Sequence, residues 1–209
     1  MLSLENVSKR FGTATAIESS SVTFPQGVTL VAGPNGSGKS TILAMCAGAL
    51  TPDTGHVRYG AYDSELDRVA FRRQIAYVPS QCEFYSFLTV EELVKLILGA
   101  HGQSAAEAHQ ALQELGIDNM VKKRLGSLSF GTRRKAFLAC AFTLKASVVI
   151  LDEPCVGLDK SSLDVLATWI ERDARTIVIA SHDQEFLSRI EHQTLLIQGS
   201  VLGQSVATP

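Results

Sequence analysis

The sequence is short of net charge. Nineteen Lys and Arg face 21 Asp and Glu, a formal balance of −2, so no global positive field points to nucleic acid or to an anionic membrane surface. Paired cysteine is also missing. Cys46, Cys82, Cys140 and Cys155 form no C-x-x-C pair and no zinc spacing, which fits small, buried, free thiols in a reducing compartment. Long apolar runs are absent too: the longest, Ala136 to Leu151, is broken by Lys145 and falls short of the roughly 20 residues of a membrane crossing. The opening Met1-Leu2-Ser3-Leu4-Glu5-Asn6 has no basic stretch leading into an apolar one, so no secretory leader is expected and the cytoplasm is the default location. No low-complexity linker or repeat divides the chain. What remains, 45% hydrophobic and 19% charged residues over 209 positions, is the composition of a globular protein with one large domain or two small ones.

Periodicity predicts an antiparallel β region first. Leu2–Val7 and Ser21–Phe24 alternate and are followed by polar or turn residues, as half-exposed strands are. Val28–Ala32 reads as a buried strand running into a glycine loop, with a helix from Thr41 to Leu50 behind it. Ile75–Val78 is a short strand. Helical spacing follows over Thr89–Leu98 and Ser104–Leu115, with Gly116 closing the second helix. Val148–Leu151 and Thr176–Ala180 are uninterrupted apolar runs separated by a helical stretch, Lys160 to Arg172, the pattern of parallel strands buried on both faces. Leu195 to Val206 looks like one hairpin and a short tail.

Gly33-Pro34-Asn35-Gly36-Ser37-Gly38-Lys39-Ser40 completes the pattern G-x-x-x-x-G-K-S between a predicted strand and a predicted helix. Glycines there let main-chain N–H groups turn inward around phosphate oxygens, and the helix N-terminus adds partial positive charge. Lys39 suits the β and γ phosphates of ATP and Ser40 suits Mg²⁺. The alternative is a structural glycine turn that happens to contain a lysine. Asp152 and Glu153 follow a buried strand, at the sheet edge where open α/β sheets place ligands. Asp152 suits a water-mediated Mg²⁺ contact and Glu153 suits polarisation of an attacking water. In isolation such a pair is a solvated strand end, and a lone histidine is usually structural. The next apolar strand nevertheless delivers Ser181-His182-Asp183 to the same edge, so His182 is a candidate for the γ-phosphate or the attacking water.

With these pieces in order, the chain resembles the nucleotide-binding subunit of an ATP-binding cassette (ABC) transporter over nearly all its length. Phe11, followed by Gly12, lies where that family places a ring that stacks on adenine. Gln81, after Tyr77-Val78-Pro79-Ser80, looks like the family's glutamine that touches Mg²⁺ and water and relays the state of the site to the membrane partner. Leu128-Ser129-Phe130-Gly131-Thr132 resembles the signature motif, which completes the ATP site of the opposite subunit. Gly157-Leu158-Asp159 resembles the loop that crosses the dimer interface.

The resemblance implies an α/β fold: a P-loop NTPase core with a mostly parallel sheet, an N-terminal antiparallel β subdomain and an inserted α-helical subdomain. Residues 1–209 form one ATPase domain, with 1–80 and 145–209 as core plus antiparallel region and about 82–144 as the helical subdomain. It implies a nucleotide set of Phe11, Gly33, Pro34, Asn35, Gly36, Ser37, Gly38, Lys39, Ser40 and Thr41, completed by Ser129 and Gly131. Ser40, Gln81 and Asp152 are the Mg²⁺ candidates, and Glu153, His182 and Gln81 the catalytic ones. The implied partners are a polytopic membrane subunit and a second cassette, identical or not, with no nucleic acid; the location is the inner face of the cell membrane. Phe87–Leu93 and the basic run Arg133-Arg134-Lys135 look like the exporter branch with separate membrane subunits; the basic run is otherwise the solvated first turn of a helix.

The signature departs from the usual LSGGQ at Phe130 and Thr132. That departure keeps open a weakly hydrolysing or regulatory cassette; a soluble ABC protein outside transport, with the same ATP engine, is a further alternative.

Overall fold

Alternation along the central strands separates two hydrophobic cores. The computed structural model describes residues 1–198 and 201–207. In β7 (Val148–Asp152), Val148 and Ile150 enter one core while Val149 and Leu151 enter the other. In β8 (Thr176–Ala180), Val178 and Ala180 share the first core and Ile177 and Ile179 the second. A strand buried on both faces must be apolar throughout, which is why these runs carry no alternation of polarity.

These strands belong to a six-stranded sheet ordered β10-β9-β3-β8-β7-β6. Here β3 is Gly27–Ala32, β6 Ile75–Val78, β9 Gln193–Gln198 and β10 Val201–Ala207. Every pairing is parallel except the edge hairpin of β9 and β10, the expected hairpin, whose turn lies outside the described residues. A second, antiparallel sheet runs β2-β1-β4-β5, built from β1 (Leu2–Phe11), β2 (Ala14–Phe24), β4 (Thr54–Tyr59) and β5 (Tyr62–Asp63). It covers one face of the parallel sheet together with α1 (Lys39–Cys46), burying Leu2, Leu4, Val7 and Phe24 against Ile42, Leu43 and Met45. On the other face pack α3 (Val90–Ala100), α4 (His109–Glu114), α5 (Phe130–Thr143), α6 (Lys160–Arg172) and α7 (Gln184–Leu187). The fold is thus the expected α/β one, with a mostly parallel sheet and an antiparallel companion.

Several elements differ from expectation. β1 and β2 run well beyond their alternating cores because Asn6 sits at φ 52 and the pairing shifts register between Leu4 and Val7. A bulge of this kind interrupts the period without ending the strand. α1 starts two residues early, at Lys39, and stops at Cys46, where the chain turns to Gly48 at φ 63. Residues 104–115 open as a 3₁₀ turn, Ala105–Ala108, under a capping box of Ser104 and Glu107 before α4 begins. β4, β5 and the short α2 (Arg68–Arg72) carried no sequence signal, since their buried positions are few and scattered.

Candidate functional site

Strands β3, β8, β7 and β6 are parallel neighbours, so the segments after their C-terminal ends share one sheet edge. Across that edge, in order, stand the glycine loop, Ser181-His182-Asp183, Asp152-Glu153 and Pro79-Ser80-Gln81. Topology alone therefore gathers four sequence-predicted segments.

The glycine loop is shaped by close approaches. A β-carbon on Gly38, which caps α1 at φ 98, would stand 2.6 Å from Ile17 Cδ1 and 2.8 Å from Ala16 O. One on Gly33 would stand 2.9 Å from the Ile197 carbonyl oxygen. Both positions exclude a side chain, whereas Gly36, at φ 78, faces open space and supplies turn geometry only. Lys39 is buried and donates to the carbonyls of Gly33 and Pro34 at 2.9 and 3.0 Å. Ser37 Oγ is buried with no hydrogen-bond partner, a hydroxyl whose missing partner a phosphate oxygen would supply. Ser40 and Asn35 are exposed on the same loop, and Thr41 is half-buried. Among the described residues no group of three or more His, Cys, Asp and Glu could hold a metal. The Ser40 hydroxyl suits Mg²⁺, which is bound through one or two protein oxygens and the phosphates themselves. The residues therefore fit a nucleoside triphosphate with its Mg²⁺.

Phe11 ends β1 in the tight turn to Ala14, with its ring about half exposed. Two and three residues along β2, Ala16 and Ile17 are the atoms that crowd Gly38, so the Phe11 hairpin borders the loop. Lys9 Nζ lies 5.8 Å from the ring centroid.

Asp152 is buried at the end of β7, and its charge adds to the burial that raises the Tyr77 hydroxyl pKa. Glu153 adopts φ 49, uncommon for a non-glycine residue. Its N–H donates to Ala180 O at 2.8 Å, and its carboxylate accepts from His182 N at 3.3 Å, with His182 Nε2 3.5 Å from Oε1. Carboxylate and imidazole thus converge. Gln81 is exposed, three residues past the end of β6.

Ser129 caps α5, accepting from Thr132 N at 3.2 Å while its hydroxyl lies 2.9 Å from Thr132 Oγ1. A β-carbon on Gly131 would stand 2.0 Å from the Gly157 carbonyl, so the two glycines let the signature-like turn and the Gly157-Leu158-Asp159 loop touch backbone to backbone. Ser129 caps, and Gly131 lies in the first turn of, the helix that packs against β6.

The basic run is not a solvated helical turn. Arg133 donates to Leu128 O at 2.7 Å, Arg134 is fully buried, and Lys135 Nζ pairs with Asp159 at 2.6 Å. Arg134 reaches the carbonyls of Ser80, Asp152 and Glu153. Sequence reasoning could not find this, because burial of one cation among three depends on the rotation of the helix about its own axis. Fully buried Cys46 and Cys140, with Cys82 and Cys155, bear out the expectation of free internal thiols.

Comparison with known proteins supplies the family. Residues 17–156 match the model of the ABC transporter family. The manganese transport system ATP-binding protein MntA of Synechocystis is 32% identical over 194 residues, covering 86% of this chain and 74% of that protein. The linearmycin resistance ATP-binding protein LnrL of Bacillus subtilis is 28% identical, covering 88% of this chain, which spans 62% of LnrL's length. A solved dimeric post-hydrolysis state of the ATP-binding cassette MJ0796, bound to ADP and Pi, shares the fold with a TM-score of 0.84 at 22% identity, covering 99% of this chain and 98% of its own. Other relatives are named for export and for import. No helix among the described residues is long and apolar enough to cross a membrane. On the match to most of its length and on these relatives, the chain belongs to the ABC transporter family, as an ATP-binding cassette of the ATPase kind that takes ATP with Mg²⁺.

Proposed function

We propose that this cassette hydrolyses Mg-ATP to drive a separate membrane-spanning partner, in the export direction, as one of two cassettes closing head to tail over two nucleotides. The observation that carries the reading is the shared sheet edge, where a buried, unpartnered Ser37 hydroxyl stands in line with a converging Glu153 and His182. Bound Mg-ATP supplies the phosphoanhydride bond and a divalent charge against the developing negative charge. The chain's residues do the rest. The N–H groups of Asn35 to Thr41 cradle phosphate, Lys39 turns from its two carbonyl partners toward the phosphates, and Ser40, Gln81 and Asp152 serve the metal directly or through water. Glu153 orients and polarises the attacking water, and His182 steadies that carboxylate and the γ-phosphate. Phe11 offers its exposed ring to adenine. Ser129 and Gly131 contact the nucleotide of the second cassette.

Residues 1–209 act as one ATPase domain in this reading, and about 82–144 move as its helical part. The membrane subunit docks beside Gln81, where Phe84, Tyr85 and Phe87 are exposed and in ring contact with one another. The cassette sits at the cytoplasmic face of the membrane through that partner and binds no nucleic acid. Phe87–Leu93 supports the export direction.

Steady-state phosphate release is the test. Lys39→Ala and Glu153→Gln each abolish it, and Glu153→Gln dimerises with Mg-ATP on size-exclusion chromatography. A persistently monomeric Glu153→Gln that also recovers no polytopic membrane protein would remove the transport reading. The engagement of Ser129 by Thr132 favours a second reading, a cassette with slow turnover whose partner carries the productive site. Mg-ATP binding by the purified chain with little or no phosphate release would support it.

A further inference from the structure

We infer that Arg134 is a positioning residue for the hydrolytic edge, locking the main chain of Ser80, Asp152 and Glu153 to the helix that follows the signature, under a lid formed by the Phe130 ring. Its guanidinium is fully buried. It donates to the carbonyls of Ser80 and Glu153, and Nη1 lies 3.5 Å from Asp152 O. Those oxygens belong to the segments leaving two adjacent parallel strands, β6 and β7. A single side chain on α5 therefore bridges the glutamine segment and the carboxylate segment.

Burying a cation is expensive unless hydrogen bonds replace its water, and an apolar side chain would fill the same volume without that cost. Nε has no hydrogen-bond partner at all, so the arrangement is not one optimised for stability. What a guanidinium adds over an apolar filler is a directed grip on carbonyl oxygens. One of those carbonyls belongs to Glu153, whose positive φ is a strained choice for a residue with a side chain. Ala180 O holds the Glu153 N–H on one side of its Cα and Arg134 holds the Glu153 carbonyl on the other. Without the second hold the main chain is free to relax, swinging the carboxylate away from His182.

Phe130 is the residue that departs from the family's glycine, and it covers this contact. Residues 130 and 134 share a helix face. The ring centroid lies 4.6 Å from Arg134 Cζ, and a ring edge carbon lies 3.0 Å from where a Gly157 β-carbon would stand. A cation beneath an aromatic face is attracted to it and kept from water. Ser129 is the immediate neighbour of Phe130, so closure of a second cassette on Ser129 is transmitted through Phe130 and Arg134 to this chain's own Glu153.

The inference rests on Glu153 acting on the attacking water. The experiment uses the full chain, measuring phosphate release against ATP concentration and affinity for a fluorescent ATP analogue. Arg134→Gln is expected to lower kcat about tenfold or more while analogue affinity changes by less than about twofold, and Arg134→Lys to recover part of the loss. Phe130→Leu keeps the apolar volume, loses the ring, and is expected to lower kcat about threefold. Undiminished hydrolysis in Glu153→Gln sinks the reading beneath the inference, whatever the Arg134 variants do. Loss in Glu153→Gln together with full kcat in Arg134→Gln overturns the inference alone, as does an equal loss of binding and turnover. If Arg134→Gln does not fold, Phe130→Leu decides, and an unchanged kcat there overturns the proposal.

Discussion

Lys135 Nζ lies 2.6 Å from Asp159 Oδ2, joining the helix after the signature-like turn to the residue that caps α6. Asp159 is thereby held well below the usual carboxylate range, first by Lys135 and then by the Ser161 and Ser162 donors. A carboxylate depressed in the folded state stabilises it above the unfolded pKa, near 3.9, and loses that contribution as pH falls toward the folded value. Asp159→Asn keeps a good cap but loses the charge. Its thermal midpoint is expected to lie about 1–3 °C below the parent at pH 7, with the gap narrowing at pH 3, as followed by circular dichroism.

Gly131 and Gly36 are expected to respond differently to alanine. At Gly131 the new methyl would meet a main-chain oxygen at 2.0 Å, which no side-chain rotation relieves. Gly131→Ala is expected to cost several times more than the roughly 1 kcal/mol of an unfavourable φ and to displace the loop around Gly157. Gly36→Ala meets no atom within 4 Å and bears only the strain of φ 78, so its denaturant midpoint falls by about 1 kcal/mol's worth, far less than that of Gly131→Ala. Its ATP affinity falls, because the methyl stands in the phosphate cradle. Urea titration and nucleotide binding separate the two.

Ser37→Ala removes a buried hydroxyl that has no partner without nucleotide. Deleting an unsatisfied polar group is neutral or mildly stabilising, by up to about 1 kcal/mol. The nucleotide-free thermal midpoint is expected to hold or rise. The shift produced by Mg-ATP is expected to shrink, reflecting roughly a threefold to tenfold weaker affinity. A parallel drop in both midpoints would contradict this account.

All four cysteines are buried, and burial pushes Cys140 and Cys155 up to about 12 and Cys82 up to about 11. Thiolate is the reactive form, so a thiol reagent at pH 8 is expected to label the native chain far more slowly than the urea-unfolded one, in which all four react. Rapid labelling of one native thiol would show an opening of the core near it.

How much was legible depended on range. The glycine loop could be read because its spacing, strand and helix are contiguous, and β7 and β8 because burial on both faces forbids polar interruption. The helix over Thr89–Leu98 could be read from its local apolar spacing, but the capping box of Thr89 and Glu92 that starts α3 was not read. The strained conformation of Glu153 could not be read, since it depends on Ala180 and Arg134, residues far off in sequence. Nor could the fate of Arg133, Arg134 and Lys135. Three adjacent cations on a helix point in three directions about 100° apart, and only the packed structure shows that the middle one faces inward. β4 hid for another reason: its residues Thr54–Tyr59 bury Val57 alone, too little to leave a pattern.

The alternation along β7 gives this sheet edge a parity. Whether Asp152 enters the interior or Glu153 turns to His182 is decided by whether an odd or even number of residues precedes them in the strand. A single-residue insertion between Ser147 and Leu151 exchanges the inward sets of both cores at once and misdirects the carboxylates with them. The same insertion beside Gly60 or Gly102, turn glycines with open space around them, leaves that count untouched. Tolerance to length change in this chain is therefore arithmetic before it is energetic.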